Sequence, residues 1–178
     1  DGIPDVVVIH RAYPTASIHL GASDGTLGEA RPVVLDEPAL AFTAGDLDGD
    51  GDVELVFAHG ADRPQGVLRT VSVDQDGRIR DEARNTLHRH PIAVAAGDTR
   101  GDQKRELAVF HHGWRGQSIV TPGRQSLGGT YRRETAIAST TTHGALADLL
   151  GDSYLEAVSV SLQGYASKPG LLVVYSDM

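Results

Sequence analysis

The apolar residues of this chain fall into short runs that alternate with loops rich in glycine and acidic residues. The runs at 54–58 and 106–110 each hold consecutive apolar side chains after an initial glutamate. A short apolar run bounded by turn residues is typical of a buried strand. No segment convincingly shows the apolar spacing of an amphipathic helix. The pattern therefore predicts an all-β chain.

The runs recur at a nearly constant spacing. An acidic residue begins each of four runs, at Asp5, Glu54, Glu106 and Glu156, so the period is about 50 residues. A period of about 50 residues that is filled with short strands is typical of a β-propeller blade of about four strands. We therefore predict a single β-propeller segment over residues 1–178. Its repeat units lie at about 1–38, 39–90, 91–141 and 142–178.

Aligning the units predicts up to four strands in each, named A to D in chain order. Strand A is expected at 39–44, 92–96 and 143–147, and strand B at 5–9, 54–58, 106–111 and 156–162. Strand C is expected at 16–20, 66–73, 117–121 and 170–175, and strand D near 30–35, 80–86 and 131–138. These fourteen predicted strands amount to about three and a half four-stranded blades.

The connection between strands A and B of the second unit carries the most specific chemistry. Five acidic residues occupy alternate positions there: Asp46, Asp48, Asp50, Asp52 and Glu54. Alternate side chains of a tight loop can converge on one point, and several hard oxygen donors suit Ca²⁺. We therefore predict a Ca²⁺ site in this second loop, residues 46–54. A hairpin turn rich in glycine and aspartate without a metal is the alternative.

An EF-hand does not account for the second loop. The twelfth position, where an EF-hand has a bidentate glutamate, is Phe57, and the residues that follow the loop predict a strand instead of a helix. A strand–loop–strand site fits better. In that site the side chains of Asp46, Asp48 and Asp50 bind the metal, residue 52 contributes its backbone carbonyl, and Glu54 closes the site from the next strand.

The loop and its repetition resemble the FG-GAP/VCBS repeats of integrin-like β-propellers. The pattern D-x-D-G-D-G-x-x-[DE] before an apolar strand carries the resemblance, and the stretch Ser17–Leu27 is similar to strand C and the Gly-Asp-Gly-Thr-Phe turn of that family, with Leu27 in place of Phe. The resemblance covers nearly the whole chain. It implies a structural Ca²⁺ in the loop and ligand sites on the face away from the metal loops.

The other units depart from the full ligand pattern. In the third loop, residues 98–106, Arg100 and Lys104 replace acidic residues, and we expect Arg100 to act as a built-in cation between Asp98, Asp102 and Glu106. In the fourth loop, residues 148–156, Leu150 takes the place of one donor, which leaves a possible weak metal site at Asp148, Asp152 and Glu156. The first unit retains only Asp1 and Asp5 of its loop.

A propeller of three and a half blades is incomplete, because closed rings need about four to eight blades and open ones expose strand edges. Two arrangements stay open. The chain is a piece of a longer propeller, which we favour because the sequence begins inside a metal loop. Alternatively, two fourteen-strand copies assemble as two halves of a ring and together supply the strands of seven four-stranded blades.

The connections between strands B and C share the edge opposite the metal loops and predict a ligand site there. Three of the four carry an aromatic residue, at Tyr13, Trp114 and Tyr165, and Arg115 adjoins the tryptophan. Aromatic faces with polar donors are suited to stacking on sugars and pairing with their hydroxyls. Packing between blades, or stiffening of the loops, is the alternative role of these residues.

Composition narrows the function classes. The net charge of −8 argues against a nucleic-acid partner, and no apolar run approaches the length of about 18 residues that membrane insertion requires. No nucleophile–base motif, phosphate-binding loop or dinucleotide motif is present, so we expect no enzymatic activity. The paired histidines at 88, 90, 111 and 112 lack the acidic spacing of a zinc enzyme.

We therefore expect a calcium-stabilised, non-enzymatic binding or scaffold module that takes a carbohydrate or protein ligand, with carbohydrate recognition or adhesion as its task. We expect it to be secreted or at the cell surface, although the chain shows no signal peptide. Two alternatives stay open: the propeller portion of a larger secreted enzyme or toxin, and a purely structural half-propeller that self-assembles.

Overall fold

The fold is described from a computed structural model. The structure describes residues 2–60, 64–74, 78–88, 90–103, 105–112, 117–123, 126–135, 140–152, 154–162 and 171–175. Within these ranges the chain is all-β and contains no helix, so no membrane-crossing helix is present in them.

The described residues form fourteen strands in four antiparallel sheets. The first sheet holds β1 Val6–Ile9, β2 Thr15–His19 and β3 Arg31–Val34. The second holds β4 Ala41–Gly45, β5 Val53–His59, β6 Gln65–Val73 and β7 Ile79–His88. The third holds β8 Pro91–Gly97, β9 Glu106–His111, β10 Gln117–Gly123 and β11 Ser126–Thr135, and the fourth holds β12 Thr140–Ala147, β13 Glu156–Leu162 and β14 Leu171–Tyr175.

Each sheet is a meander in which consecutive strands pair with each other. The predicted all-β class is confirmed, and every predicted strand overlaps an observed one. The differences lie at strand ends. The strand β7 extends to His88 because it pairs along the long β6, where Gln65 faces His88. The strand β11 begins at Ser126 because a short hairpin already pairs Ser126 with Gly123.

Hydrophobic cores lie between successive sheets. In β5, Leu55 and Phe57 pack toward the first sheet, whereas Val56 and Ala58 pack toward the third. Successive side chains of a strand point to opposite faces, so both faces of β5 are buried. This explains why the strand reads as a continuous apolar run. Burial of each large apolar side chain stabilises the fold by about 1.5–3 kcal/mol.

Glycines permit the closest approaches between sheets. Gly97, the last residue of β8, lies against the side chains of Leu146 and Leu155, and Gly144 of β12 lies against the ring of Phe110. Phe110 is fully buried, so the ring occupies the space that a β-carbon at Gly144 would need. These two contacts bring the third and fourth sheets together.

The described residues form no closed propeller, and the number of blades stays a prediction. The first sheet contains no counterpart of strand A and the fourth contains no counterpart of strand D among the described residues. Whether further blades or a second copy complete the ring also stays a prediction.

Candidate metal centre

The second loop connects β4 to β5, and the pair formed by Gly45 of β4 and Glu54 of β5 lies at the base of the loop. Three aspartates of this loop each place one carboxylate oxygen within 4.8 Å of the other two: Asp46, Asp48 and Asp50. Among the described residues, this is the single group of three or more potential metal ligands that meets this distance. Asp46 and Asp48 are half-buried and Asp50 is exposed, so the group opens to solvent on one side.

Hydrogen bonds from the loop backbone orient these three carboxylates. Asp46 accepts bonds from the amides of Gly49 at 2.7 Å and Gly51 at 3.2 Å. Asp48 accepts a 3.2 Å bond from the amide of Asp50, and Asp50 accepts a 2.9 Å bond from the amide of Asp52. Gly49 and Gly51 have φ angles of 83° and 93°, which favour glycine and turn the chain around the carboxylates. The sequence therefore folds locally into a loop that aims acidic groups inward.

Negative charge is concentrated in this loop. Partial burial raises the pKa of Asp48, and the charges of Asp50 and Asp46 raise it further against the opposing hydrogen bond from the Asp50 amide. Burial also raises the pKa of Glu54 against its hydrogen bonds from the Leu47 amide and the Ser72 hydroxyl, and the charges of Asp48 and Asp50 raise it by smaller amounts. A bound divalent cation would offset this repulsion, because opposite charge favours the ionised carboxylates.

Glu54 and Asp52 lie outside the group of three carboxylates. Glu54 is 1% exposed, and its Oε2 accepts a 2.7 Å bond from the Leu47 amide while its Oε1 accepts a 3.1 Å bond from the Ser72 hydroxyl. The glutamate thus ties the start of the loop to β5 and β6. Its role as a closing ligand, and that of the residue 52 carbonyl, stay predictions. No sequence pattern marks Ser72, which reaches the site only because β5 pairs with β6.

The third loop has a similar backbone arrangement. Asp98 accepts bonds from the amides of Gly101 at 2.6 Å and Gln103 at 2.8 Å. Burial alone would raise the pKa of Asp98, but the donors, led by the Arg100 amide, hold it below its usual value. Arg100 Nε lies 3.9 Å from Oε1 of Glu106. Asp102 joins no described group of three metal ligands.

The fourth and first units do not gather a comparable ligand set within the described residues. Three acidic residues of the fourth loop accept backbone bonds: Asp148 from Gly151 at 2.6 Å, Asp152 from Tyr154 at 3.0 Å, and Glu156 from Leu149 at 2.7 Å. Their role as a weak metal site stays a prediction. In the first unit, Asp5 accepts a 2.8 Å bond from the Gly21 amide, and Asp1 lies outside the described residues.

Of the predicted ligand edge, the structure describes Tyr13. This tyrosine is 68% exposed, on a turn that is closed by bonds from the His10 amide to the Thr15 carbonyl and from the Tyr13 amide to the His10 carbonyl, both 3.1 Å. Trp114, Arg115 and Tyr165 lie outside the described residues. Whether the three aromatic residues line one site stays a prediction.

Comparison with known families gives one match. Residues 1–57 match the family model of the FG-GAP-like repeat. This span covers the first sheet, β4, the second loop and most of β5. The predicted resemblance is thereby confirmed for this part of the chain. No curated protein matches the sequence. An FG-GAP-like repeat indicates at most a binding or adhesion-type module, and such repeats are generally non-enzymatic.

Proposed function

We propose that this chain is a calcium-stabilised segment of a β-propeller that serves as a non-enzymatic binding module, with carbohydrate recognition or adhesion as its task. The convergence of Asp46, Asp48 and Asp50 within a stretch that matches the FG-GAP-like repeat carries the proposal. The residue 52 carbonyl and Glu54 would complete the coordination of the ion.

The donor set favours calcium over other biological cations. All the proposed donors are oxygen atoms, which suit hard cations, whereas structural zinc sites are built mainly from cysteine and histidine. Mg²⁺ demands near-octahedral geometry and keeps several waters, whereas Ca²⁺ accepts six to eight oxygens in an irregular arrangement. An acidic loop that gathers several oxygen donors and opens to solvent on one side matches the irregular coordination of Ca²⁺ better.

The contacts between sheets support the propeller arrangement. The first strands of the second, third and fourth sheets meet in succession, because β4 contacts β8 and β8 contacts β12. One further relation repeats from sheet to sheet. Arg105, which precedes Glu106 of the third sheet, lies against Gly45 at the end of β4 in the second sheet. In the same way, Leu155 before the fourth sheet's β13 lies against Gly97 at the end of β8 in the third sheet. A repeated relation between successive sheets is what a propeller requires.

Bound calcium would stabilise the folded state and would take no part in a reaction. The second loop joins β4 to β5, so an ion held by the loop carboxylates would restrain both strand ends. Metal that binds the folded state and not the unfolded state stabilises the fold by mass action. Recognition is proposed at the opposite edge, where the exposed ring of Tyr13 sits on a hydrogen-bonded turn suited to stacking on a sugar face.

Calcium titration by calorimetry tests the metal half of the proposal. We expect one ion per chain in the wild type and none in Asp48→Asn, which keeps the size of the side chain and removes its charge. Exposed Asp24→Asn is a matched control outside the acidic loop and should bind like the wild type. Equal binding by the wild type and Asp48→Asn would contradict the site.

A glycan array with and without Ca²⁺ tests the recognition half. We expect binding that decreases in EDTA because the propeller loosens, and that decreases in Tyr13→Ala without any change in calcium affinity. An array with no bound glycan in either condition would remove carbohydrate recognition and leave a protein ligand as the remaining class of partner.

A further inference from the structure

The third loop reproduces the fold of the second loop with a different charge. In both loops the first aspartate accepts a bond from the glycine three residues later: Asp46 from Gly49 at 2.7 Å and Asp98 from Gly101 at 2.6 Å. The third position, which is Asp48 in the second loop, is Arg100 in the third. A carboxylate that could bind a cation is thus replaced by a side chain that is itself a cation.

The glutamate that closes the third loop is fully buried. Glu106 is 0% exposed, and its Oε2 accepts bonds from the Thr99 amide at 3.0 Å and the Thr99 hydroxyl at 2.8 Å. Its Oε1 is buried and accepts no hydrogen bond from the part of the chain that the structure describes. The Arg100 Nε atom lies 3.9 Å from this oxygen, and the arginine side chain is only 25% exposed. The guanidinium therefore faces the oxygen that lacks a donor.

A buried carboxylate needs a compensating charge, since an isolated buried ion is strongly disfavoured. In the second loop, the proposed calcium would supply that charge to Glu54. In the third loop, a divalent ion does not fit, because guanidinium offers donors and no acceptor and would repel the metal. Arginine keeps its charge at every physiological pH, so this compensation is permanent.

We propose that Arg100 is an internal cation that balances Glu106 and keeps divalent metal out of the third loop, so that this loop is folded with or without calcium. The chain then uses two solutions for one loop fold: an exchangeable ion in the second loop and a covalently attached charge in the third. The expected number of bound calcium ions, one in the second loop and none in the third, rests on the proposed calcium function. The stability of the third loop in EDTA does not.

Thermal unfolding in EDTA tests the internal cation. Arg100→Leu keeps the aliphatic bulk and removes the charge, so its Tm should fall on the order of 5–10 °C, with the same loss in calcium. Arg100→Lys should recover part of the loss, because it restores the charge but not the guanidinium geometry. Arg11→Leu, at an exposed turn, is the control and should leave Tm unchanged. An unchanged Tm for Arg100→Leu would overturn the proposal.

Calcium titration of Arg100→Asp tests exclusion of the metal. This variant restores aspartate at the third position, so we expect a second bound ion and a Tm that is low in EDTA and rescued by calcium. Failure of Arg100→Asp to gain a site would overturn the assignment of Arg100 as the residue that excludes metal. If the wild type binds no calcium but Arg100→Leu is destabilised in EDTA, the proposed function fails and the internal cation stands.

Discussion

The backbone amide of Leu47 donates a 2.7 Å hydrogen bond to Oε2 of Glu54, seven residues later, and so closes the acidic loop at its base. The same bond closes the other two described loops of this kind, from Thr99 to Glu106 at 3.0 Å and from Leu149 to Glu156 at 2.7 Å. The three loops differ in their acidic residues, yet all three are closed by the polypeptide itself. The last acid of the motif therefore has a structural role that does not depend on a metal.

This closing bond predicts that Glu54→Ala destabilises the protein even in EDTA. The substitution leaves the buried Leu47 amide and the Ser72 hydroxyl without their acceptor, so we expect the free energy of unfolding to fall by about 2–4 kcal/mol. Ser72→Ala removes one donor and should cost about 1 kcal/mol. Urea unfolding in EDTA measures both. A loss for Glu54→Ala that is seen only with calcium would mean that the glutamate acts solely as a ligand.

The hydrogen bonds of the second loop predict different roles for Asp46 and Asp48. Asp46 accepts two backbone bonds, so Asp46→Ala should lower the free energy of unfolding by about 1–2 kcal/mol in EDTA. Asp48 accepts one long, exposed bond, and its pKa is raised by burial and by its acidic neighbours. Asp48→Ala should therefore stay within about 0.5 kcal/mol of the wild type in EDTA and lose stability only when calcium is present. Equal losses for Asp48→Ala in both conditions would contradict this division of roles.

Equivalent positions in the second and third loops carry a glycine and a glutamine, and both residues have a positive φ angle. Gly51 has φ 93° and Gln103 has φ 63°, a region that costs a side-chain-bearing residue about 1–2 kcal/mol. Glycine avoids this cost but loses more conformational entropy on folding, so Gln103→Gly should stabilise the protein by up to about 1 kcal/mol. Gly51→Ala should destabilise it by about 1–2 kcal/mol, although a β-carbon there would meet no atom within 4 Å. Denaturant midpoints in EDTA would test this, and a destabilised Gln103→Gly would show that the glutamine side chain contributes more than its backbone costs.

The burial of His59 predicts that the free energy of unfolding depends on pH. The residue is 3% exposed, and burial lowers its pKa against opposing contributions from the Pro38 carbonyl and Glu37. Since the folded-state pKa lies below the unfolded value of about 6.5, the stabilising contribution of neutral His59 is present above pH 6.5 and lost as pH falls from 6.5 toward the folded-state pKa.

Urea unfolding between pH 5 and 8 measures this contribution of His59. His59→Gln keeps a donor for the Pro38 carbonyl, to which the Nδ1 atom lies 3.4 Å away, and removes the titrating group. We expect this variant to lose less stability than the wild type on acidification. His10→Gln, at the exposed equivalent position of the first unit, is the control and should follow the wild type. A parallel decline for His59→Gln and the wild type would assign the acid sensitivity to other groups.

Much of the fold could be predicted because its signals are local and repeated. The period of about 50 residues, the apolar B strands and the acidic loops marked all the strands in order. The convergence of Asp46, Asp48 and Asp50 was also predictable, because alternate residues of a short glycine-containing loop can reach one point. Ser72 could not be found in this way, since strand pairing alone brings it to Glu54, eighteen residues earlier.

The sequence by itself determined the order and the approximate positions of the strands and loops, because the apolar runs and the glycine and aspartate patterns that mark them are local. The tertiary structure decided which of the repeated positions are buried. Leu47 and Leu149 occupy the same loop position, yet Leu47 is 4% exposed in the core shared with the third sheet, whereas Leu149 is 51% exposed. The close packing of Gly144 on Phe110 was decided in the same way. Burial of this kind depends on which sheet packs on which, and no pattern within a single repeat contains that information.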